Sequence, residues 1–175
     1  MSQQTVPAIP LPFQLSRLVT SYWVPQSIHA AAALGVADVL ADGPKPSDDM
    51  ARAVGAHPGA MRRLLRALVV LELCTQADDG AFALTPLGAC LRSDTRDSIR
   101  SWVLLVGGEA VWRSWGRLLA CVRTGDSVPT QDGTGPFDQM AAQPETAAVF
   151  NRSMVELTRI VPTAAAMSVI EALPV

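Results

Sequence analysis

Residues 57 to 85 set the tightest limit on the fold. The stretch "HPGAMRRLLRALVVLEL" puts Pro58 where a helix tolerates proline, in the first turn, and then Met61, Leu64, Leu65, Leu68 and Glu72 on one helical stripe. Four of those five are apolar, so this helix has a face to bury. Directly after it, "LELCTQADDGAFALT" reads as two short half-buried strands around Asp79-Gly80, a pair suited to a type I′ hairpin turn. A shorter helix precedes the stripe: Ser47 is placed to cap it, Asp48 and Asp49 sit in its first turn where the helix dipole favours acids, and Gly55 is its expected C-cap. Short helix, striped helix and tight hairpin, in that order, make a helix-turn-helix with a wing.

The flanks are helical as well. Residues 1 to 12 are Pro-rich and polar and form an expected arm. From Phe13 the pattern becomes helical, with Leu15, Leu18, Val19 and Tyr22 on one face, until Pro25 interrupts or restarts it. "QSIHAAAALGVADVLADG" reads as one Ala-rich helix ended by Gly43 and Pro44. Thr85-Pro86 opens another short helix, and residues 98 to 125 give two helical stretches joined or kinked at Gly107-Gly108. A loop over 125–135 follows. Pro144 then begins a long amphipathic helix carrying Val149, Phe150, Met154, Leu157 and Val161, kinked at Pro162 and running towards Ile170. The expected organisation is an arm (1–12), a winged-helix unit (13–135) and a helical segment (136–175). The fold class is mostly α, with the winged unit embedded between flanking helices.

Arg62, Arg63 and Arg66 on the striped helix raise the question of DNA. The chain holds 14 basic residues against 16 acidic ones, a net charge of −2, and its pI is near 5.6. A protein that neutralises many phosphates carries a basic footprint, and none is present. Within the winged segment, Pro44 to Arg100, the balance is eight basic to seven acidic. The arginines therefore read as a solvated helix face with local ion pairs. Other chemistry is scarce. Cys74, Cys90 and Cys121 are odd in number, widely spaced and without a CxxC pair, so they read as buried thiols of a reducing compartment. His29 and His57 have no acidic or cysteine partner at triad or ligand spacing and read as packing or capping residues. Gly107-Gly108 lacks the strand and third glycine of a dinucleotide loop. No catalytic, cofactor or metal site is expected.

Half the residues are apolar (49%) and only 17% are charged, with a mean hydropathy of +0.25, yet no apolar run approaches the ~18 residues of a membrane span. The N-terminus lacks a basic region followed by an apolar one, so no secretory signal is expected and the protein reads as cytoplasmic. The hydrophobicity must be hidden by folding or by a partner. Trp102, Trp112 and Trp115, with Phe150 and Met154 one turn apart, are either core or the wall of an apolar pocket for a planar ligand; periodicity does not separate the two.

Five stretches, taken together, carry a resemblance. "LVTSYWVPQSIHAAAALGVADVLADGP", "GAHPGAMRRLLRALVVLEL", "GAFALTPLGACLRSD", "RSWVLLVGGEAVWRSWGRLLACVRTG" and "PFDQMAAQPETAAVFNRSMVEL" follow one another. In that order they resemble bacterial small-molecule O-methyltransferases of the plant-type, caffeate-like class, which depend on S-adenosylmethionine and modify aromatic and polyketide hydroxyls. The resemblance runs from about Phe13 to the end of the chain. It implies that this region is a dimerisation domain, a winged-helix relative whose helices interlock with those of a second subunit instead of entering DNA. The implied partners are a second copy of the chain and, in the full-length enzyme, a small aromatic substrate, with no nucleic acid and no membrane. An interlocked homodimer also accounts for the high apolar fraction.

"FNRSM" resembles the helix whose Phe and Met line the acceptor pocket in that family, which implies substrate contacts at Phe150 and Met154. Trp112, on the helix across the pocket, and Leu105 are further candidates, and residues near Phe13 would act in trans. The family continues with a doubly wound domain that holds S-adenosylmethionine and the catalytic His, whereas this sequence stops where its first strand should start. The expectation is therefore a chain that contributes pocket walls but no cofactor site and no chemistry. Two other expectations compete: a winged-helix transcriptional regulator with Arg62, Arg63 and Arg66 on phosphates, and a free-standing module that pairs with a full-length enzyme.

Overall fold

The computed structural model describes residues 9–126 and 143–160. In chain order the elements are α1 (Leu11–Thr20), α2 (Trp23–Leu34), α3 (Val36–Val39), α4 (Ser47–Ala53), α5 (Pro58–Val70), β1 (Cys74–Gln76), β2 (Phe82–Leu84), α6 (Pro86–Ala89), α7 (Arg100–Gly107), α8 (Glu109–Trp115), α9 (Leu118–Thr124) and α10 (Pro144–Ile160). The mostly α winged-helix arrangement expected from the sequence is present. Residues 1–8, 127–142 and everything after Ile160 lie outside the described residues, and with them most of the expected 125–135 loop and the expected kink at Pro162.

The core lies between α2, α3, α4, α5 and the hairpin. Met61, Leu65 and Leu68 of α5 are essentially fully buried against Ala31, Ala32, Val36, Met50 and Phe82. Their i, i+4, i+7 spacing holds them on one face. The Arg-bearing face of α5 is exposed, as expected. Arg62 donates to the Ser47 hydroxyl (3.3 Å) and pairs with Asp48 (3.3 Å) of α4, while Arg63 and Arg66 face solvent.

α5 ends where Leu73 N–H reaches the Leu68 carbonyl (2.9 Å) and Glu72 N–H that of Val69 (3.0 Å), a Schellman closure that needs a left-handed residue. Glu72 takes that role at φ 59°. It is therefore exposed and off the stripe on which the spacing placed it. Next, β1 and β2 pair antiparallel in the register Cys74↔Leu84, Thr75↔Ala83, Gln76↔Phe82. Lys45 adds a bridge to Phe82, with both N–H···O bonds at 2.9 Å, so the wing is anchored to the chain entering α4.

The hairpin turn differs from the type I′ expectation. Ala77 and Ala81 are joined by a hydrogen bond of 2.9 Å, which makes a three-residue loop of Asp78, Asp79 and Gly80. Gly80 has φ 85° and Asp79 does not have positive φ, so the geometry is a turn closed by a left-handed glycine. Asp79 accepts from Ala81 N–H (2.9 Å) with its carboxylate, which holds it there.

Four further expectations are corrected. The Ala-rich stretch is two helices, because Gly35 adopts φ 69° and donates its N–H to the Ala31 and Ala32 carbonyls as a left-handed C-cap. Ser47 is the first residue of α4 rather than its cap; Pro46 holds the cap position, and the Ser47 hydroxyl is committed to Asp48 and Arg62. Among the cysteines only Cys74 is buried; Cys90 and Cys121 are half-exposed. Burial pushes the Cys74 thiol up to about 11. The region after Ile99 is three helices, with an extended Gly108 separating α7 from α8 and Gly116-Arg117 separating α8 from α9.

Candidate functional site

α7 is the element around which the site residues are arranged. Its C-terminal end is pressed onto α2. The Gln26 amide donates to the Gly107 carbonyl (3.2 Å), and a Cβ on Gly107 would fall 2.5 Å from the His29 Cβ. Only glycine permits that approach. His29, half-buried with Nδ1 3.4 Å from the Val103 carbonyl, is thus a packing residue, as its sequence context implied.

The start of α7 is tied to two other parts of the chain. The Arg100 guanidinium donates to the Ala32 carbonyl (3.0 Å) and to Asp38 (3.0 Å), and Asp38 in turn accepts from Ser93 N–H (2.7 Å). Backbone N–H groups at the start of a helix have no partner within it. Two of these in α7, on Ser101 (3.1 Å) and Trp102 (2.9 Å), are taken by the two carboxylate oxygens of Glu156, 55 and 54 residues later. A carboxylate is well matched to the positive end of the dipole. Glu156 is 8% exposed, and Ser153, one turn earlier, is fully buried with its hydroxyl donated to the Phe150 carbonyl (2.7 Å).

That seam fixes α10 on α7. The proline at its start and Glu145 in its first turn favour a helix, and its small buried Ser153 lets the two axes approach. Phe150 and Met154 lie beside the seam as half-buried residues one turn apart, so they share one shoulder of α10. Leu105 is half-buried on α7. Trp112 is placed differently. It is 43% exposed on α8, and its ring sits 5.7 Å from Tyr22, which in turn meets Trp23 edge-on at 5.9 Å. α10 packs chiefly on α7. Sequence reasoning missed Glu156 and Tyr22. Periodicity arguments follow apolar residues, and nothing local marks a glutamate whose partners are backbone groups of a distant helix.

The second feature is an apolar surface. Not one residue of α1, α8 or α9 is buried. Leu11, Phe13, Leu15, Leu18 and Val19 of α1 are all exposed, and so are Trp115, Leu118, Leu119 and Val122. Helices this apolar do not remain open to water in a lone monomer. Among the described residues no group of three or more His, Cys, Asp or Glu is placed to hold a metal, and no helix is long and apolar enough to cross a membrane.

Known proteins resemble this chain in sequence and fold. Residues 16–94 match the family model of the O-methyltransferase dimerisation domain. The chain is 39% identical over 153 residues to phenazine O-methyltransferase PhzM of Lysobacter antibioticus, covering 87% of this chain and 45% of that protein. It is 35% identical to 3-amino-4-hydroxybenzoate 4-O-methyltransferase of Streptomyces cremeus, over 81% of this chain and 39% of that one. The chain thus spans less than half the length of these relatives. Among solved structures, LaPhzM superposes with a TM-score of 0.82 at 37% identity, over 95% of this chain and 49% of the other. CalO1, a methyltransferase of calicheamicin biosynthesis solved with SAH bound, gives 0.73 at 29% identity, over 86% of this chain and 46% of the other.

Proposed function

Since residues 16–94 match the O-methyltransferase dimerisation domain, we propose that this chain is the dimerising and acceptor-binding part of an enzyme that methylates hydroxyls of planar aromatic molecules. The observation that carries this reading is the absence of any buried residue in α1, α8 and α9. Those helices join a second copy in an isologous interface, in which the same patch serves both subunits. The acceptor class is taken from relatives that act on a phenazine and on an aminohydroxybenzoate. Phe150 and Met154 form one wall of its pocket: an aromatic ring and an adaptable thioether on one shoulder suit a flat apolar ligand. Trp112 joins that wall from α8 in the assembled enzyme.

The methyl donor is a different matter. Among the described residues the sheet is one antiparallel hairpin, and no strand runs into the Gly-rich loop that holds a nucleotide in a doubly wound fold. Donor binding and proton removal are assigned to the part of the relatives that this chain does not span. The transcriptional-regulator alternative has no observation in its favour: Arg62 is engaged by Ser47 and Asp48, and the relatives are small-molecule methyltransferases.

Light scattering tests the reading. A mass near twice 18.5 kDa is expected, falling to the monomer in Leu18→Asp with Leu119→Asp, two exposed positions whose change leaves the core intact. Phe150→Ala with Met154→Ala is expected to keep the dimer mass and the helical circular dichroism. A stable, monodisperse monomer of the unaltered chain would overturn the proposal.

A further inference from the structure

We propose that Glu156 is a positioning residue for the acceptor wall: its clamp on α7 sets the rotation of α10 about its own axis, and with it the place of Phe150 and Met154. The inference rests on the acceptor-wall reading of those two residues. α7 is the fixed reference, held at one end by Arg100 on Asp38 and the Ala32 carbonyl and at the other by the glycine contact with His29. α10 has no such glycine contact or cross-helix ion pair among the described residues. What engages its polar groups with α7 is one carboxylate spread over the adjacent N–H groups of Ser101 and Trp102, at 3.1 and 2.9 Å.

A two-point contact is sensitive to rotation. A side chain lying about 5–6 Å from the helix axis swings by ~2 Å when the helix turns by ~20°, enough to break both hydrogen bonds. Ser153, fully buried on the same seam, leaves a larger side chain no room to take its place. Phe150 lies one turn before Ser153 and Met154 one turn after Phe150, so any rotation that frees Glu156 carries both off their shoulder. A hydrophobic residue at 156 would bury as much surface but would hold no angle, because apolar contact is non-directional.

The test uses the chain carrying Glu156→Ala, Glu156→Gln and, as a stability control on the core side of α7, Val103→Ala. Met154 is followed by its methyl NMR signal without ligand, and the Ser101 and Trp102 amides by hydrogen exchange. Glu156→Ala is expected to move the Met154 methyl signal and speed exchange of the two amides by roughly ten- to a hundredfold. Glu156→Gln, which keeps one acceptor oxygen, is expected to fall between, and serves alone if the alanine variant does not fold. Val103→Ala is expected to leave the Met154 signal in place. An unmoved Met154 signal with fast-exchanging amides would overturn the proposal, and so would an equal movement in the control. Titration of 2-naphthol separates the underlying reading: no response of Met154 in the unaltered chain would refute the acceptor wall, while the ligand-free spectra still decide the role of Glu156.

Discussion

Replacing Gly107 by alanine is the most discriminating single perturbation of the fold. The added Cβ would lie 2.5 Å from the His29 Cβ, 2.7 Å from its Cγ and 2.8 Å from Nδ1. Carbon atoms in contact prefer ~3.5–4.0 Å, so α7 and α2 must separate by about 1 Å. Overpacking of this kind costs ~1–3 kcal/mol. The Gln26 bond to the Gly107 carbonyl, already 3.2 Å long, is lost for about 1 kcal/mol more. Alanine returns about 1 kcal/mol through helix propensity. The net loss is about 2 kcal/mol, read as a thermal midpoint lower by roughly 4–8 °C at fixed protein concentration. The rescue pattern is sharper than the loss. Because the closest atom is the His29 Cβ, His29→Ala leaves the clash in place, whereas His29→Gly removes it; urea titrations of the single and double variants give the coupling. Gly116→Ala, whose nearest neighbour would be a carbonyl at 3.4 Å, is the neutral control. A Gly107→Ala protein within about 0.5 kcal/mol of the parent, or its rescue by His29→Ala, would refute the close approach of the two helices.

Three other outcomes are expected. Glu72→Gly should stabilise the protein by about 1 kcal/mol, since a non-glycine residue at φ 59° carries a cost of that order; denaturant midpoints check it, and a loss of stability would remove the left-handed assignment. Leu65→Asp with Leu68→Asp should abolish the cooperative unfolding transition, because each places an unpaired charge in a fully buried site. The Cys74 thiol, raised by burial from 9.0 to about 11, binds its proton more tightly folded than unfolded, so its contribution to stability is complete below pH 9 and is lost as pH climbs through 11. Mass spectrometry after iodoacetamide at pH 8 should accordingly find Cys90 alkylated well before Cys74, and equal labelling of the two would contradict the burial.

What could be read from the sequence follows the range of the forces involved. The apolar stripe of α5, the hairpin after it and the exposure of its arginines are local consequences of side-chain spacing, and they were legible. Gly35 was not, because alanine-rich flanks give a strong helical signal on both sides, and a single left-handed residue between them depends on where Val36 must be buried. The turn at Asp79-Gly80 turned on one residue of loop length, which dipeptide chemistry does not set. At the proposed site, Phe150 and Met154 are suggested by the FNRSM stretch alone. Glu156 was invisible: its worth depends on two orphan amides on a helix more than fifty residues away, a relation only the folded chain establishes.

The bare surface of α1 also governs how the protein assembles in time. A helix of 10 residues is shorter than the ~12–15 that persist alone in water, and this one draws no support from its own chain's core. Its order in the proposed dimer is therefore acquired on encounter, so its formation is a second-order event whose rate rises with concentration. Subunits labelled in two colours and mixed would then trade places at a rate set by the release of α1 together with α8 and α9, long before the core around Leu65 lets go.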